Sequence, residues 1–375
     1  MNILISGGFG FIGFALTLKL TKLDHKVTIL DNLSPQIHGI NPAESELYLK
    51  IKDKVNFING DVRKIEDWKK ALENQDAIVH LAAETGTGQS MYEIDKYVEV
   101  NTKGTSIFLD LIANNKNNSI KKIIIASSRS IYGEGKYKDI KGNFYYPESR
   151  LDYQMQQKQF EPEHNGEILK VVATDEQSKI HPISIYGITK QVQEQLVMNV
   201  CKSINIAGVS LRFQNVYGPG QSLTNPYTGI LSVFSNLILN KKEINIFEDG
   251  LESRDFVYID DVVESIYLSI FNENANNKIY NVGTGIATSV NEVASILQKC
   301  YNIKVTTSIS GNYRLGDIRH NFADISKIKN ELGWAPKVMI NEGLKNFSKW
   351  VLSQKVPELS YEKSLQEMKE KGMFK

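Results

Sequence analysis

The stretch Gly7-Gly8-Phe9-Gly10-Phe11-Ile12-Gly13 is the strongest indicator of the fold of this chain. It follows an apolar run at residues 2–6 and opens a helical pattern at residues 11–23. Glycines at such a turn allow the backbone to approach a pyrophosphate closely, and the free N–H groups of the helix N-terminus attract its charge. Gly-x-Gly-x-x-Gly alone is a weak signal, but this strand and helix context predicts a dinucleotide site. The expected contacts are Gly7, Gly10, Phe11, Ile12 and Gly13.

An acidic residue, Asp31, ends the next apolar run, at residues 26–31. It lies close to the position, roughly 20 residues beyond the glycine turn, at which a carboxylate binds a ribose hydroxyl. Because a carboxylate there repels a 2′-phosphate, Asp31 favours NAD over NADP, and the adjacent Asn32 is a further expected contact. The alternative is that Asp31 caps the turn before Asn32.

Short apolar runs alternate with helical patterns through the first half of the chain. The runs are continuously apolar, as in strands buried on both faces of a parallel sheet. They lie at residues 2–6, 26–31, 55–59, 77–81 and 122–127, and the helical patterns between them lie at 11–23, 65–73 and 101–114. This alternation predicts an α/β fold built on a Rossmann-type doubly wound parallel sheet.

The second half of the chain is less regular. Helical patterns lie at residues 186–203, 230–240 and 289–300, and a strand pattern lies at 208–213. We expect an NAD-binding Rossmann domain over residues 1–217, to which part of 255–285 returns. Residues 218–375 are expected to form mainly a smaller C-terminal α+β domain that binds the substrate.

The composition argues against several classes of function. Of the 375 residues, 41% are hydrophobic and 23% are charged, and the net charge is +1. This balance is ordinary for a soluble globular protein and argues against nucleic acid or a membrane surface as partner. Cys201 and Cys300 are too far apart in sequence to suggest a disulfide framework or a zinc knuckle. With no signal peptide and no apolar run near the roughly 20 residues that span a bilayer, a cytoplasmic enzyme is expected.

Tyr186-Gly187-Ile188-Thr189-Lys190 contains Tyr-x-x-x-Lys, whose two ends share one face of a helix. A phenol has an ordinary pKa of about 10, and a neighbouring ammonium favours its ionised, basic form. The hydroxyl-rich stretch Ser127-Ser128-Arg129-Ser130 follows a buried strand, at the sheet edge where such folds bind ligands. We therefore predict Ser128, Tyr186 and Lys190 as the catalytic set, and we expect Ser127 and Ser130 to cap the end of the strand.

These motifs, together with later ones, resemble the extended short-chain dehydrogenases, specifically the sugar-nucleotide epimerase/dehydratase family. The resemblance runs almost from end to end of the chain. Its further stretches are Asp61-Val62, His80-Leu81-Ala82-Ala83, Asn101, and residues 211–219, 254–261, 281–285 and 316–320.

The resemblance implies a role for each matching residue. The implied cofactor contacts are Asp61, Val62, Leu81, Ala82, Ala83, Asn101, Ser127, Tyr186, Lys190 and Phe213. The implied contacts with a nucleotide-diphosphate sugar are Glu84, Thr87, Ser128, Asn215, Arg254, Arg314 and Asp317. Arginine forks suit a pyrophosphate, and a carboxylate suits a ribose diol. The alternative for Arg254 is an ion pair with Asp255 or Asp260.

The family oxidises the C4 hydroxyl of the sugar to a ketone with NAD, and its branches differ in the fate of that ketone. A 4,6-dehydratase needs an acid and a base directly after the catalytic hydroxyl residue. This chain has Arg129 and Ser130 there, and neither does that proton work at neutral pH. Glu134 is expected on a surface loop. Dehydration is therefore disfavoured, whereas 4-epimerisation needs no additional acid.

Residues 80–90, 212–222 and 316–320 resemble dTDP-L-rhamnose 4-epimerases, which interconvert that sugar with dTDP-6-deoxy-L-talose. A UDP-glucose or UDP-N-acetylglucosamine 4-epimerase is the alternative within the family. A non-catalytic NAD-binding scaffold is the alternative outside it, because a fold alone does not prove chemistry.

An insertion at about residues 139–181 makes the segment between Ser128 and Tyr186 long for the family. It is polar and contains His164 and His181 but no cysteine, which argues against a metal site. A lid, a surface excursion and a dimer contact remain open as its role. A homodimer through the helices at 101–114 and 186–203 is a further expectation from the family.

Overall fold

The computed structural model describes residues 1–115, 117–223, 225, 229–354 and 361–375. Among these residues, seven parallel strands form one sheet: β1 (Asn2–Ser6), β2 (Lys26–Asp31), β3 (Asn56–Asn59), β4 (Ala77–His80), β5 (Lys122–Ser128), β6 (Ala207–Phe213) and β7 (Lys278–Val282). Their spatial order is β3-β2-β1-β4-β5-β6-β7. The order reverses beside β1, and doubly wound sheets bind ligands in the crevice at such a switch point. The predicted doubly wound parallel sheet is confirmed.

Successive residues of one strand pack on opposite faces of the sheet. Ile3 and Ile5 of β1 belong to one buried cluster, whereas Leu4 between them belongs to another. In β5, Ile124 joins the first cluster and Ile123 joins the second. Because both faces are buried, the central positions of β1 and β5 are apolar on both faces, and the two-residue period is hidden in the sequence.

Helices cover both faces of the sheet. Phe11–Lys22 and Ile259–Phe271 pack on one face, and Ile65–Ala71, Gly104–Ala113 and Ile185–Ser203 pack on the other. The helix predicted to start at Asn101 differs, because a π-helical turn, Val98–Lys103, precedes Gly104–Ala113. Shorter helices are Pro35–His38, Pro42–Glu44, Glu46–Ile51, Lys52–Lys54, Thr87–Ser90, Ile94–Tyr97, Arg129–Tyr132, Glu273–Ala275, Ser326–Leu332 and Tyr361–Glu370.

The C-terminal part of the chain adds a second group of helices and short strands. The helices Ile230–Leu239, Val290–Tyr301 and Ile340–Leu352 pack together. The strand pairs are Asn215–Tyr217 with Phe256–Tyr258, Ile244–Ile246 with Thr307–Ile309, and Ser253–Arg254 with both Thr288–Ser289 and His320–Asn321. Although they follow residue 217, β7 and the helix Ile259–Phe271 pack within the layers of the large sheet. The domain boundary at residue 217 stays a prediction.

The inserted segment folds against the C-terminal part of the chain. Its elements are the strands Phe144–Tyr145, Glu163–His164, Glu167–Ile168 and Lys170–Val171 and the helix Asp152–Gln156. Met155 and Phe160 form a small buried cluster with Tyr313, and the Tyr313 hydroxyl donates a hydrogen bond to Asp152 at 2.6 Å. The insertion is therefore anchored beside the segment that carries Arg314 and Asp317.

Glu134 is fully buried, so its expected place on a surface loop is wrong. Gly133, with φ of +57°, turns the chain inward after the buried Tyr132. The Arg319 main-chain N–H donates to the Glu134 carboxylate at 2.7 Å, and Arg150 Nε lies 3.3 Å from it. A buried carboxylate needs such partners. They lie far along the chain, which is why the local sequence did not indicate burial.

None of the helices within the described ranges is long and apolar enough to cross a membrane. In the same part of the chain, no group of three or more His, Cys, Asp or Glu side chains is arranged to bind a metal ion. His164 of the insertion packs instead against Tyr145, with their ring centroids 4.4 Å apart.

Candidate active site

The glycine turn forms a close-packed cradle between β1 and the first helix. Gly7 has a φ of +72°, and a Cβ there would lie 2.8 Å from the Ala82 nitrogen. A Cβ on Gly13 would lie 2.3 Å from the Gly7 carbonyl oxygen. The helix Phe11–Lys22 starts after Gly10, which has no side chain to cap it. Its first N–H groups are thus available to a ligand at the positive end of the helix dipole.

A cavity of about 450 Å³ opens in front of this cradle. Its volume is typical of a small-molecule site. The predicted residues that line it are Gly7, Gly10, Phe11, Ile12, Gly13, Asp31, Asn32, Val62, Leu81, Ala82, Ala83, Glu84, Ser127, Ser128, Tyr186, Lys190 and Phe213. The cavity therefore brings the expected dinucleotide contacts and the expected catalytic set together.

Asp31 lines this cavity while two main-chain N–H groups hold its carboxylate. Phe9 donates to one oxygen at 3.0 Å, and Leu33 donates to the other at 2.9 Å. Burial raises the pKa of Asp31, and these hydrogen bonds and His38 partly offset that effect. The carboxylate thus caps the turn at Asn32 and also faces the cavity, so the two interpretations of Asp31 are compatible.

Asp61 and Asn101 lie outside the lining of the cavity. Asp61 accepts a hydrogen bond from Arg63 at 2.7 Å. Asn101 is buried and binds the main chain of Glu84 in both directions, accepting from its N–H at 2.8 Å and donating to its carbonyl at 3.1 Å. Asn101 therefore supports the loop after β4, which carries Glu84 into the cavity.

Tyr186 and Lys190 lie one turn apart on the helix Ile185–Ser203. Ser184 caps this helix by accepting a hydrogen bond from the Gly187 N–H at 3.1 Å. The Lys190 ammonium donates to the Ala126 carbonyl at 2.8 Å and to Gln193 at 3.0 Å. Burial lowers the pKa of Lys190 to about 7.

The environment of Tyr186 differs from the expectation that Lys190 alone favours its ionised form. Burial raises the pKa of the phenol, and the Ser128 hydroxyl and the Arg129 guanidinium act in the opposite direction. Arg129 is therefore a cation that already favours the phenolate in this structure. The sequence motif did not indicate this contribution, because Tyr-x-x-x-Lys points only to Lys190.

The capping roles of the serines at the end of β5 differ from the expectation that Ser127 and Ser130 cap the strand. Ser128, rather than Ser127, caps the short helix Arg129–Tyr132, because its Oγ accepts the Ser130 N–H at 3.1 Å. The Ser128 hydroxyl also donates to Ser130 Oγ at 3.1 Å. Ser127 Oγ is buried, lines the cavity and has no hydrogen-bond partner among the described residues. Capping by Ser127 is thus wrong, and its free hydroxyl faces the ligand space.

The features of the large cavity fit a dinucleotide. The glycine cradle and open helix N-terminus suit a pyrophosphate. Asp31 suits a ribose diol, and the unpaired Ser127 hydroxyl and the Lys190 ammonium offer hydrogen bonds deeper in the cavity, beside Tyr186. The residues present could therefore hold NAD with its reactive end toward the predicted catalytic set.

Arg254 does not pair with Asp255 or Asp260, so that alternative is wrong. Its guanidinium donates to the Ile318 carbonyl at 2.7 Å and lies 3.4 Å from Asp317 Oδ1. Asp255 is engaged elsewhere, because its carboxylate accepts the main-chain N–H groups of Thr284 and Gly285 at 2.7 and 2.9 Å.

Positive charge exceeds negative charge around Asp317. Burial opposes its ionisation, but the guanidiniums of Arg254, Arg314, Arg150 and Arg129 hold its pKa below the ordinary value. Arg314 lies over the Phe247 ring at 5.0 Å, and its buried Nε has no hydrogen-bond partner in the part of the chain that the structure describes. Because Glu134 and Glu248 engage Arg150, the guanidiniums of Arg129, Arg254 and Arg314 are left around Asp317, and such a group suits a bound anion.

The remaining predicted substrate contacts lie near this cluster or the large cavity. Thr87, Arg314 and Asp317 line a smaller cavity of about 70 Å³. Asn215 accepts a hydrogen bond from Arg129 Nε at 2.7 Å. Glu84 lines the large cavity, and its carboxylate lies 3.4 Å from Lys96 Nζ.

Sequence reasoning missed Gln214 and the binding potential of Arg129. Gln214 lines the large cavity, and both polar atoms of its buried amide lack partners among the residues described. Its position directly after β6, at the carboxyl edge of the sheet, is the signal that could have found it. Arg129 directly follows the predicted catalytic Ser128, and that position is the signal that could have found it.

Models of known families match most of this chain. The model described as the NAD dependent epimerase/dehydratase family matches residues 3–161, and the model described as GDP-mannose 4,6 dehydratase matches residues 163–347. A dTDP-L-rhamnose 4-epimerase from Burkholderia thailandensis is 35% identical over 355 residues, covering 94% of this chain and 95% of that protein.

Solved structures of similar fold come from the same group of proteins. A UDP-glucuronic acid 4-epimerase from Bacillus cereus, in complex with UDP-glucuronic acid and NAD, has a TM-score of 0.77 and 26% identity. A UDP-glucose 4-epimerase from Thermotoga maritima, with UDP-glucose, has a TM-score of 0.75 and 29% identity. Both comparisons cover 94% of this chain and 99% of the other chain.

Proposed function

The chain belongs to the NAD-dependent epimerase/dehydratase family as an NAD-dependent sugar-nucleotide epimerase, and we propose that it interconverts dTDP-L-rhamnose and dTDP-6-deoxy-L-talose. The 35% identity to the Burkholderia thailandensis dTDP-L-rhamnose 4-epimerase, over nearly the full length of both chains, supports this substrate. The resemblance of residues 80–90 and 212–222 to such enzymes supports the same choice.

A nucleotide-diphosphate substrate is supported mainly by the group of guanidiniums around Asp317. Arg254 lies 3.4 Å from the Asp317 carboxylate, Arg314 acts on the same carboxylate electrostatically, and the Arg314 Nε has no partner among the described residues. A diphosphate supplies the missing negative charge, and guanidinium groups bind phosphate oxygens in pairs. In this proposal Asp317 binds the ribose diol, and Asn215, Thr87 and Glu84 lie along the nucleotide and the hexose.

In the proposed mechanism, Tyr186 accepts the proton of the sugar C4 hydroxyl. Ser128 orients the sugar oxygen, and Lys190 and Arg129 favour the phenolate. When bound, NAD would supply the hydride acceptor for oxidation at C4 and the hydride donor for reduction on the opposite face of the ketone. Because the protein would bind the substrate mainly through its diphosphate, the hexose can rotate between oxidation at C4 and reduction of the ketone. Tyr186 then returns the proton to the C4 oxygen.

The residues after Ser128 favour epimerisation over dehydration. Arg129 is a cation, and Ser130 is occupied by its hydrogen bond from Ser128. Glu134, although buried, does not line the large cavity, and its carboxylate is engaged by the Arg319 N–H. We therefore propose that the 4-keto sugar is reduced again without loss of water.

A UDP-hexose 4-epimerase is the second candidate function. It is favoured by the structural similarity to proteins solved with UDP-glucose and UDP-glucuronic acid. A non-catalytic scaffold is disfavoured, because Ser128, Tyr186 and Lys190 all face one cavity. The division into domains at residue 217, the cytoplasmic location and the homodimer through the helices Gly104–Ala113 and Ile185–Ser203 stay predictions.

Product analysis tests the proposed function most simply. The purified protein is incubated in parallel with dTDP-L-rhamnose, UDP-glucose and UDP-N-acetylglucosamine, and the sugars are identified by NMR. We expect dTDP-6-deoxy-L-talose from the first substrate, at a kcat/KM well above that for either UDP-sugar. A higher kcat/KM for a UDP-sugar would replace the proposed substrate, and the absence of any epimer would contradict the activity.

A further inference from the structure

We propose that Arg129 is a further substrate-binding residue, which holds the phosphate group next to the hexose and so places C4 at Tyr186. This inference rests on the proposed function, since it concerns the same nucleotide-diphosphate sugar. It goes beyond the residues that the family resemblance indicates, which are Arg254 and Arg314 on the nucleotide side.

The Arg129 side chain reaches from the end of β5 to Asn215, which follows the neighbouring strand β6. Arg129 begins the short helix Arg129–Tyr132, directly after Ser128 at the end of β5. Its Nε donates to the Asn215 side-chain oxygen at 2.7 Å, which fixes the plane of the guanidinium. No described residue accepts a hydrogen bond from either terminal nitrogen, so one edge of the fork is left for a ligand.

Nearby carboxylates are already engaged by other cations or N–H groups. Asp317 lies 3.4 Å from Arg254 Nη2. Glu134 accepts the Arg319 N–H and lies beside Arg150. A guanidinium in partly desolvated surroundings is costly without an anion, and a phosphate oxygen pair matches the free edge of the Arg129 fork.

Arg129 lies within electrostatic reach of groups at both ends of the proposed substrate. Burial and the charge of Arg254 lower the pKa of Arg129 to about 10, so it remains protonated at neutral pH. Tyr186 and Asp317 both act on it electrostatically in the opposite direction. In the proposed pose, C4 lies at Tyr186 and the ribose lies at Asp317. The diphosphate lies between these points, and the phosphate bonded to the hexose is the one nearer to Tyr186.

The experiment compares nucleotides with one and two phosphates. Direct binding of dTMP, dTDP and dTDP-L-rhamnose, with UMP and UDP in parallel, is measured by calorimetry on the NAD-loaded protein. The variants are Arg129→Met and Arg129→Lys, with the exposed Lys202→Met as a matched loss of one positive charge. NAD content and circular dichroism report whether each variant is folded.

We expect Arg129→Met to weaken dTDP and dTDP-L-rhamnose binding about tenfold or more, while dTMP binding stays within about twofold. Arg129→Lys keeps the positive charge but loses the paired N–H donors of the guanidinium. Its affinity for dTDP and dTDP-L-rhamnose should therefore lie between those of Arg129→Met and the unaltered protein. If Arg129→Met does not fold, Arg129→Lys alone must still lower the preference for dTDP over dTMP.

Two results would overturn the inference. An unchanged ratio of dTDP to dTMP affinity in the variants would limit Arg129 to supporting Asn215. Weakened binding of dTDP-L-rhamnose with unchanged dTDP binding would move the contact to the hexose. Failure of the proposed function is recognised separately, because the unaltered protein would then bind none of the nucleoside diphosphates or would not form an epimer.

Discussion

The Arg150 guanidinium, in the inserted segment, donates a hydrogen bond to the main-chain carbonyl of Asp317 at 2.8 Å. The same side chain binds both carboxylate oxygens of Glu248, at 2.8 and 2.9 Å, and is 5% exposed. Its Nε lies 3.3 Å from Glu134, which follows the predicted catalytic stretch. Arg150 thus connects the insertion to both sides of the substrate region, and these contacts favour a supporting role over that of a mobile lid.

We predict that Arg150→Met destabilises the protein and weakens substrate binding. Removing one partner of a buried ion pair typically costs about 3–5 kcal/mol, because the remaining charge is left unpaired. The loss of the contact to Asp317 should raise KM for the nucleotide sugar more than it lowers kcat. Thermal unfolding and steady-state kinetics are the measurements, with the exposed Lys141→Met of the same insertion as the control. An Arg150→Met protein as stable as the Lys141→Met protein would contradict the supporting role.

The second prediction concerns the pH dependence of stability at Glu134. Burial raises the pKa of this carboxyl from 4.5 to about 7, against the opposing effects of Arg150 and the Arg319 N–H. The folded state therefore binds the Glu134 proton more tightly than the unfolded state does. As pH rises from about 4.5 to 7, the contribution of Glu134 to the free energy of unfolding falls. In Glu134→Gln the free energy of unfolding should decline less over that range. Urea unfolding at a series of pH values measures the difference, and parallel curves for the two proteins would argue against the raised pKa.

Asp31→Ala tests the preference for NAD. The Asp31 carboxylate faces the cavity from the end of β2, where it would bind the ribose diol and repel a 2′-phosphate. We expect purified Asp31→Ala to retain less NAD(H), measured after denaturation, than the unaltered protein or the exposed control Asp53→Ala. Equal or tighter binding of NADP by the unaltered protein would count against this role.

The absence of an acid pair after Ser128 predicts that the enzyme does not dehydrate its substrate. Incubation with dTDP-glucose should leave the alkaline absorbance of a 4-keto-6-deoxy product at background, because Arg129 and Ser130 cannot remove water across C5 and C6. The same preparation should epimerise dTDP-L-rhamnose, which serves as the positive control. A clear rise in absorbance would move the protein to the dehydratase branch.

The features that the sequence predicted well are local. A short spacing within one strand, turn or helix is enough to identify the glycine turn, Asp31, and the pair Tyr186 and Lys190. The structure brings all of them to one cavity. The mainly apolar strands are equally local, since burial on both faces favours apolar residues at successive positions.

The features that the sequence did not reveal depend on partners far along the chain. The burial of Glu134 requires Arg150 and Arg319, which no short motif connects to it. The position of Arg129 depends on Asn215, which enters from the strand after β6. The wrong expectation for Ser127 had a different cause, because adjacent hydroxyls on one strand end point in different directions and the sequence cannot tell which one caps.

The proposed mechanism depends above all on Tyr186, which takes the proton of the C4 hydroxyl during epimerisation. Tyr186→Phe keeps the ring but removes the proton acceptor, and general-base assistance typically contributes about 10²- to 10⁴-fold in rate. Affinity for the nucleotide sugar should change little, because Arg254 and Arg314, the proposed contacts of its diphosphate, are unaltered. Lys190→Ala should lower both turnover and NAD retention, since its ammonium lies deeper in the same cavity.

The decisive measurement is steady-state epimerisation of dTDP-L-rhamnose by Tyr186→Phe, beside calorimetric binding of the same sugar nucleotide. Tyr153→Phe, an exposed tyrosine of the insertion, is the matched control and should keep full activity. We predict that Tyr186→Phe loses at least about 10²-fold in kcat while its affinity stays within a few-fold of the unaltered protein. Near-normal kcat in Tyr186→Phe would show that another residue is the base and would contradict the mechanism.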